Sequence, residues 1–390
     1  MQRHLKILEY ALSSLLRRKY KNISLVVVYT LTIAVLASIL FLTHALKYEA
    51  SRVLSTAPDL VVQKMAAGRH ELIPSAYGET IEKIRGVKEV TPRYWGYYYD
   101  ALTHANYTLL GVDGSDAGAL LPGLHLIEGS LPSASGQSAV GAGVAEARNV
   151  DTGKELILID SANTGTVFEI TGLFTAPSSL ITHDLIVFTK EDLVQFFNFP
   201  SGSATDIAVE VYNEREVPTV AAKIKQALPD TRPITKGEIV RTYDAVFNWR
   251  SGMMLTIFSS ALIAFCILAW DKATGISAEE KREIGILKAI GWDTADVLAL
   301  KFWEGIALSL TSFLLGIIIA YLHVFVFGAA VLAPVIKGWS VLFPPFRLTP
   351  SLDLYQIFVM AFLTIAPYVA STIIPSWKAA VTDPESVMRM

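Results

Sequence analysis

Residues 277–292 read "SAEEKREIGILKAIGW" and are the most informative segment of the chain. It is charged and helix-forming, although long apolar segments lie close on either side of it. Ser277 can cap the first turn of a helix, and Glu280, three residues later, completes a capping box. Gly291 can adopt the left-handed conformation that ends a helix. The segment is therefore predicted to form a short helix over residues 278–290.

The charges of this helix follow its dipole. Glu283 lies toward the positive amino end and Lys288 toward the negative carboxyl end, and both placements are favourable. On the remaining surface, Ile284, Leu287 and Ile290 form a narrow apolar stripe. Such a stripe needs a partner, and the residues alone leave the membrane surface and a groove on another protein equally open.

Length and composition indicate a membrane protein without nucleic-acid or metal chemistry. Of the 390 residues, 52% are hydrophobic and 18% are charged, whereas soluble domains carry about 25% charged residues. The net charge of −3 gives no reason to expect nucleic-acid binding. Cys266 is the only cysteine, so no disulfide can form within the chain. The histidines are scattered without the spacing of a metal site, and no metal is predicted.

A helix that crosses a membrane needs about 20 apolar residues. Four segments satisfy this requirement, and they cover residues 23–46, 252–270, 297–327 and 357–374. Glu304 is the one acidic residue within these spans. It lies close to Lys301 near the start of the third span, so a structural or coupling role is preferred to proton transfer.

Lysine and arginine near the spans predict their orientation. These residues are concentrated before the first span and between the second and third spans, which places both termini in the cytoplasm. The other predicted divisions are a cytoplasmic amphipathic helix (1–22), an extracytoplasmic domain (47–250), a cytoplasmic loop (271–296), a short external loop (328–356) and a cytoplasmic tail (375–390).

The amino-terminal segment has an apolar face made by Leu5, Leu8, Leu12, Leu15 and Leu16. This pattern is typical of a helix that lies in the membrane interface, with its basic end close to the lipid phosphates. A short soluble helix packed on protein remains the alternative.

Strand-like and helix-like patterns alternate through residues 47–250, which predicts a mixed domain. The predicted strands are "KEVTPRYWGYYYD", "NYTLLGVD", "KELILID" and "TVFEITGLF", and the predicted helices are "ETIEKIRGV", "KEDLVQFFNF" and "VPTVAAKIKQAL". The Gly- and Ser-rich residues 129–143 predict a loop or a boundary within the domain. The predicted fold is an α-helical membrane protein with four transmembrane helices and a large mixed α+β extracytoplasmic domain between the first two.

Small residues recur at helical spacing in two of the predicted spans. In the third span they are Gly305, Ser309, Ser312, Gly316 and Ala320, and in the first span they are Thr30, Ala34 and Ser38. Small residues on one face let helix backbones approach closely in lipid. Packing within one chain is the default interpretation, and a dimer seam is the alternative.

The chain carries no motif of nucleotide or hydrolytic chemistry. At the one candidate phosphate loop, Gly153 and Lys154 are preceded by Arg148 instead of the first glycine and followed by Glu155 instead of Ser or Thr. The G-x-S-x-G and H-E-x-x-H motifs do not stand out either. The chain is therefore not expected to be an enzyme or to bind a cofactor itself.

The run "EEKREIGILKAIGW" resembles the hallmark of the FtsX-like permease family, the membrane subunits of ABC transporters of the MacB and LolC/LolE group. The matching positions are Glu283, Ile284, Gly285, Ile286, Leu287, Lys288, Ala289, Ile290 and Gly291. Three other segments are similar to this family: "LSSLLRRKYKNISLVVV" to its amino-terminal helix, "LIEGSLPSASGQSAVGAGVAEARNVDTGKELIL" to its MacB-like periplasmic core domain and "PSWKAAVTDPESVMR" to its tail.

The resemblance implies that the helix over residues 278–290 lies on a separate cytoplasmic ABC ATPase subunit, which holds ATP and Mg, and couples it to the permease. It places the ATPase-coupling interface at Glu280, Glu283, Ile284, Gly285, Leu287, Lys288, Ile290 and Gly291. The other expected partners are a second permease chain, identical or different, membrane lipids and a periplasmic adaptor. The expected location is the bacterial cytoplasmic (inner) membrane.

The preferred function is a permease that moves its external domain by mechanotransmission and exports or extracts a hydrophobic or amphipathic cargo, such as a lipid, lipoprotein, peptide or drug. The alternative is a scaffold whose external domain activates a cell-wall hydrolase. The large external domain resembles that of exporters and lipoprotein-release proteins more than that of division proteins, which favours the transporter.

Overall fold

The computed structural model describes residues 2–113, 124–175, 182–274, 278–332 and 348–381. The chain divides into two compact units. The helical unit comprises Met1–Ala45, Phe247–Ile336 and Pro350–Met390, and the sheet unit comprises Leu46–Val246 and Lys337–Thr349.

The elements of the described residues follow the chain in this order. The α-helices are α1 (Gln2–Arg17), α2 (Lys19–Ser55), α3 (Tyr77–Glu82), α4 (Ala142–Arg148), α5 (Lys190–Phe196), α6 (Val217–Ala227), α7 (Lys236–Thr274), α8 (Ala278–Ala289), α9 (Thr294–Tyr321) and α10 (Leu354–Val381). The strands are β1 (Leu60–Ala66), β2 (Arg69–Glu71), β3 (Ile73–Pro74), β4 (Val87–Asp100), β5 (Ala105–Val112), β6 (His125–Gly129), β7 (Gln137–Gly141), β8 (Glu155–Ile159), β9 (Gly165–Thr175), β10 (Leu185–Thr189), β11 (Ser203–Ala204), β12 (Asp206–Val211) and β13 (Thr231–Thr235). A 3-10 turn at Glu214–Glu216 precedes α6, and a π-helical turn at Leu322–Val326 follows α9.

The sheet unit is built on one large mixed sheet. Its strand order is β13-β1-β12-β4-β5-β10-β7-β9-β6, with β2 paired to β1 and β8 paired to β9. The pairs β5–β10 and β7–β9 are parallel, and the other pairs in the large sheet are antiparallel. Strands β3 and β11 form a separate small pair. This arrangement confirms a large domain that mixes helices with sheet.

Strand β4 connects two hydrophobic cores of the sheet unit. One core contains Leu60 of β1, and the other contains Phe188 of β10. Tyr94 packs against both cores, and Tyr98 packs against the core that contains Phe188. Because successive side chains of a strand point to opposite faces, Trp95, Tyr97 and Tyr99 lie on the other face, where Tyr97 and Tyr99 are exposed. Only one face of the aromatic run of β4 therefore packs against the two cores.

The prediction of a loop or a domain boundary over residues 129–143 is wrong in its second half. Gln137–Gly141 is the largely buried strand β7, and α4 begins at Ala142. A Cβ on Gly141 would lie 1.7 Å from the carbonyl oxygen of Thr182, so the small residue serves a close backbone approach. Composition alone does not distinguish such a contact from a loop.

The other patterns read in the sheet unit are confirmed by elements, one of them in part. The four predicted strands correspond to β4, β5, β8 and β9, and the predicted helices over 190–199 and 217–228 correspond to α5 and α6. The predicted helix over 79–87 is confirmed only in its first half, because α3 ends at Glu82 and β4 begins at Val87. Sequence reasoning missed β1, β10 and β12, although each contributes buried residues to a core. These strands are short, and short apolar runs are ambiguous between strand and helix.

Among the residues that the structure describes, three helical segments are long and apolar enough to cross a membrane, and they are Asn22–Ser55, Thr294–Val326 and Leu354–Ile374. They contain the predicted first, third and fourth spans. The predicted second span, 252–270, lies inside α7, where several side chains fall outside the described residues. The count of four spans therefore stays a prediction. Residues 333–347 of the predicted external loop and 382–390 of the predicted tail also lie outside the described residues.

Candidate functional site

Helix α8 contains the charged run and ends where the glycine signal indicates. Gly291 has a φ of +98°, and its backbone N–H donates to the carbonyl oxygen of Lys288 at 3.0 Å. The N–H of Trp292 donates to the carbonyl oxygen of Leu287 at 3.0 Å, which closes the last turn. Ser277, predicted as the N-cap, lies outside the described residues, as does the side chain of Glu280.

Two of the three residues of the apolar stripe, Ile284 and Leu287, have their partners within the same chain. Leu287 is 4% exposed and packs in a cluster with Ile7 and Ala11 of α1 and Leu300 of α9. Ile284 is 7% exposed and packs on Val297 of α9. For these two residues, this finding corrects the expectation that the stripe waits for an external surface, because burial in the chain's own core already removes them from water.

A different part of α8 and the turn that follows it remain accessible. Ile286 is 54% exposed and Ile290 is 68% exposed, and Gly291 is exposed beside them. Gly285 is buried, yet a Cβ built on it meets nothing within 4 Å. Of the predicted coupling residues, Ile290 and Gly291 therefore lie at the surface, and Ile286 joins them.

Glu283 of α8 is bound by three side chains from the amino-terminal part of the chain. Its Oε1 accepts hydrogen bonds from the Tyr10 hydroxyl at 3.1 Å and from Nη2 of Arg17 at 3.0 Å. Its Oε2 is bonded by the guanidinium of Arg18. A single exposed ion pair contributes about 0–1 kcal/mol. Here three donors bind both oxygens of one half-buried carboxylate and so fix the position of the side chain.

Arg17, one of the two basic partners of Glu283, also lies over an aromatic ring. The Arg17 guanidinium lies 5.4 Å from the centre of the Tyr10 ring. A hydrogen bond with Tyr10, and after it the nearby charge of Glu283, raises the pKa of Arg17 against the opposing effect of desolvation. The Tyr10 ring in turn packs against Trp292, with ring centres 5.6 Å apart. These contacts join α1 to the residues that follow α8.

A second ion pair holds the other end of α1. Nη2 of Arg3 lies 2.5 Å from Oδ2 of Asp296 and 3.7 Å from Oδ2 of Asp293. These two aspartates form the capping box of α9, in which each side chain accepts a backbone N–H of the other. Sequence reasoning missed Arg3, Tyr10, Arg17 and Arg18 because no local pattern relates them to residues more than 260 positions away.

The leucine pattern of α1 describes a face other than the one that packs. Ile7, Ala11 and Ser14 are buried, whereas Leu5, Leu12 and Leu16 are exposed. Leu8 and Leu15 are half-buried. Helix α1 thus packs on protein with one side and presents leucines on another, so the two interpretations of this helix are compatible.

The small residues predicted to pack α9 are all buried, and they are Gly305, Ser309, Ser312, Gly316 and Ala320. A Cβ on Gly305 would lie 3.1 Å from Oγ1 of Thr372 on α10, and a Cβ on Gly316 would lie 2.7 Å from Cγ2 of Ile33 on α2. The Ser312 hydroxyl donates to the carbonyl oxygen of Val26 at 3.5 Å. The small face of α9 therefore contacts helices of the same chain.

Two further polar groups of α9 and its π-helical turn are paired. Glu304 accepts a hydrogen bond from Nζ of Lys301 at 2.7 Å, and both side chains are largely buried. Nδ1 of His323 lies 3.1 Å from the hydroxyl of Ser38. In the part of the chain that the structure describes, no group of three His, Cys, Asp or Glu side chains is placed to hold a metal ion.

Comparison with known proteins places this arrangement in a family. Residues 26–227 match the MacB-like periplasmic core domain, and residues 254–384 match the FtsX-like permease C-terminal domain. Among solved structures, the periplasmic region of MacB from Actinobacillus actinomycetemcomitans is 13% identical over 47% of this chain and 92% of that chain, with a TM-score of 0.34. The extracellular domain of the noncanonic ABC-type transporter YknZ from Gram-positive bacteria is 12% identical over 45% of this chain and 99% of that chain, with a TM-score of 0.32. Since the first match alone covers more than half of the 390 residues, the chain belongs to the MacB-like and FtsX-like family of ABC transporter permeases.

Proposed function

We propose that this chain is the permease through which a separate ATPase drives the export or extraction of a hydrophobic or amphipathic cargo, such as a lipid, lipoprotein, peptide or drug. In this proposal the chain spans the bacterial cytoplasmic (inner) membrane four times, with both termini in the cytoplasm. The sheet unit lies outside and moves when the ATPase closes on ATP.

The exposed ridge of α8 is the observation that carries the proposal. Ile286 of α8 and Ile290 in the turn that follows are exposed, whereas Ile284 and Leu287 of the same helix are buried in the chain. A helix anchored in this way is rigid, and an exposed isoleucine pair at i, i+4 suits a groove on another protein. We assign the contact with the ATPase to this ridge and to the adjacent Gly291.

The remaining chemistry is assigned to partners. No phosphate-binding loop occurs in the sequence, so ATP and Mg belong to the ATPase and the permease is not itself an enzyme. A second permease chain, identical or different, completes the transporter, and a periplasmic adaptor is a further partner. The family membership supports these assignments.

The test is co-purification with the ABC ATPase encoded beside this gene, in mild detergent. The double variant Ile286→Asp/Ile290→Asp should lose the ATPase while the permease remains in the membrane fraction with an unchanged melting temperature. The matched control is Ile157→Asp/Ile159→Asp, which alters two similarly exposed isoleucines of the sheet unit and should retain the ATPase. Retention of the ATPase by the α8 variant would show that the exposed ridge is not the docking surface.

A further inference from the structure

Helix α1 contacts α8 through its middle and its carboxyl end. Tyr10 in the middle of α1, Arg17 at its last position and Arg18 directly after it converge on the carboxylate of Glu283. In its middle, Ile7 and Ala11 share a buried cluster with Leu287. The contacts combine charge, hydrogen bonding and apolar packing, so a displacement of α8 that left α1 behind would break all three.

The same helix continues almost directly into α2. Arg18 is the one residue between α1 and α2, and its backbone N–H donates to the carbonyl oxygen of Ser14 at 3.4 Å. The side-chain amide of Asn22 donates to the carbonyl oxygen of Leu15 at 2.8 Å, across the junction. The joint between α1 and α2 is therefore bonded on both sides, and a rotation of α1 is carried into the first candidate span.

Glu283 occupies the position that joins these elements. It lies on α8, its ligands lie on α1 and at the joint, and its side chain is only about a quarter exposed. A carboxylate surrounded by three donors from its own chain has little capacity left for a partner protein. Glu283 therefore serves to connect α8 to α1 within the chain.

We propose that Glu283 is a positioning residue that makes α1 move with the coupling helix, so that a displacement of α8 by the ATPase is transmitted through α1 to α2. This inference rests on the proposed function, since it presupposes an ATPase that displaces α8. It removes Glu283 from the ATPase-coupling interface and gives α1 a role beyond attachment to the membrane.

The test uses the full permease–ATPase complex in lipid nanodiscs and hydrogen–deuterium exchange, comparing the ATP-free state with the vanadate-trapped state. In the unaltered complex, exchange should differ between the two states in α8 and at both ends of α2. In Glu283→Gln the ATPase should remain bound and the difference in α8 should persist. The difference at the ends of α2 should fall several-fold. The matched control Glu9→Gln changes an exposed glutamate of α1 and should behave like the unaltered complex.

A charge exchange separates transmission from simple loss of structure. Glu283→Arg alone should abolish the response of α2, and combining it with Arg17→Glu and Arg18→Glu should restore it. An undiminished α2 response in Glu283→Gln would overturn the inference, as would loss of the ATPase from that variant, which would make Glu283 a docking residue. If the unaltered permease fails to bind any ATPase, the proposed function itself is wrong.

Discussion

Gly316 of α9 lies against Ile33 of α2 so closely that a Cβ on the glycine would be 2.7 Å from Cγ2 of the isoleucine and 3.2 Å from the backbone nitrogen of Ala34. Both helices are candidate membrane spans. In lipid, where water does not drive helices together, close contact of this kind is a main source of helix association. The glycine is thus a structural requirement of the contact between α2 and α9.

Replacement of Gly316 by valine is expected to destabilise the helical unit by about 1–3 kcal/mol, because the added carbons have no space. The loss should appear as a lower melting temperature of the purified chain in detergent. Gly252→Val is the matched control, since a Cβ at Gly252 meets nothing within 4 Å. Equal melting temperatures for the two variants would contradict the close packing of α2 on α9.

Leu287 and Ile286 are neighbours in sequence with opposite surroundings. Leu287→Ala should cost about 2–5 kcal/mol, as truncation of a buried leucine does. Ile286→Ala, at an exposed position, should change stability by no more than about 0.5 kcal/mol. Chemical denaturation in detergent, followed by tryptophan fluorescence, measures both. A similar cost for the two variants would mean that α8 does not pack on α1 and α9 as described.

Gly141 ends β7 beside the segment that leads into β10. Because a Cβ there would overlap the carbonyl oxygen of Thr182, Gly141→Ala should disrupt the sheet unit and increase its sensitivity to limited proteolysis in membrane vesicles. Gly165→Ala is the control, since its Cβ would lie 3.7 Å from Ile157, an ordinary contact distance. Equal resistance of the two variants to protease would argue against the tight backbone approach.

Asp184 is expected to make the stability of the sheet unit depend on pH. Burial raises the pKa of its carboxyl, against the hydrogen bond it accepts from the Thr108 hydroxyl at 2.9 Å. A folded-state pKa above that of the unfolded chain means that the folded chain binds more protons. Stability therefore falls as pH rises through the interval between the two values.

The variant Asp184→Asn keeps an acceptor for Thr108 and removes the titration. It should melt at a higher temperature than the unaltered chain at neutral pH, and the difference should shrink as the pH is lowered through the range where Asp184 becomes protonated. Melting curves across this range provide the measurement. A difference that is constant with pH would show that the charge of Asp184 does not influence stability.

Elements that depend on local periodicity could be predicted from the sequence, whereas elements that depend on contacts with distant residues could not. The long apolar segments around residues 23–46 and 297–327, and the alternating strands β4, β5 and β9, depend on local periodicity and were read correctly as helices and strands. Strand β7 was mistaken for a loop because its small residues are explained by a contact with Thr182, which no local pattern reveals.

The candidate site also has features that local sequence predicts and features that depend on distant contacts. Propensity, capping and periodicity act within a few turns, so the sequence alone is sufficient to predict a short helix after residue 277, its end at Gly291 and its apolar stripe. That Ile284 and Leu287 face the chain's own helices, while Ile286 and Ile290 stay exposed, is known only from the tertiary packing. It also brought Tyr10 to Glu283 across 273 residues of sequence. The physical reason is that an apolar stripe specifies burial but not the surface that buries it, and that surface is set by the packing of distant segments.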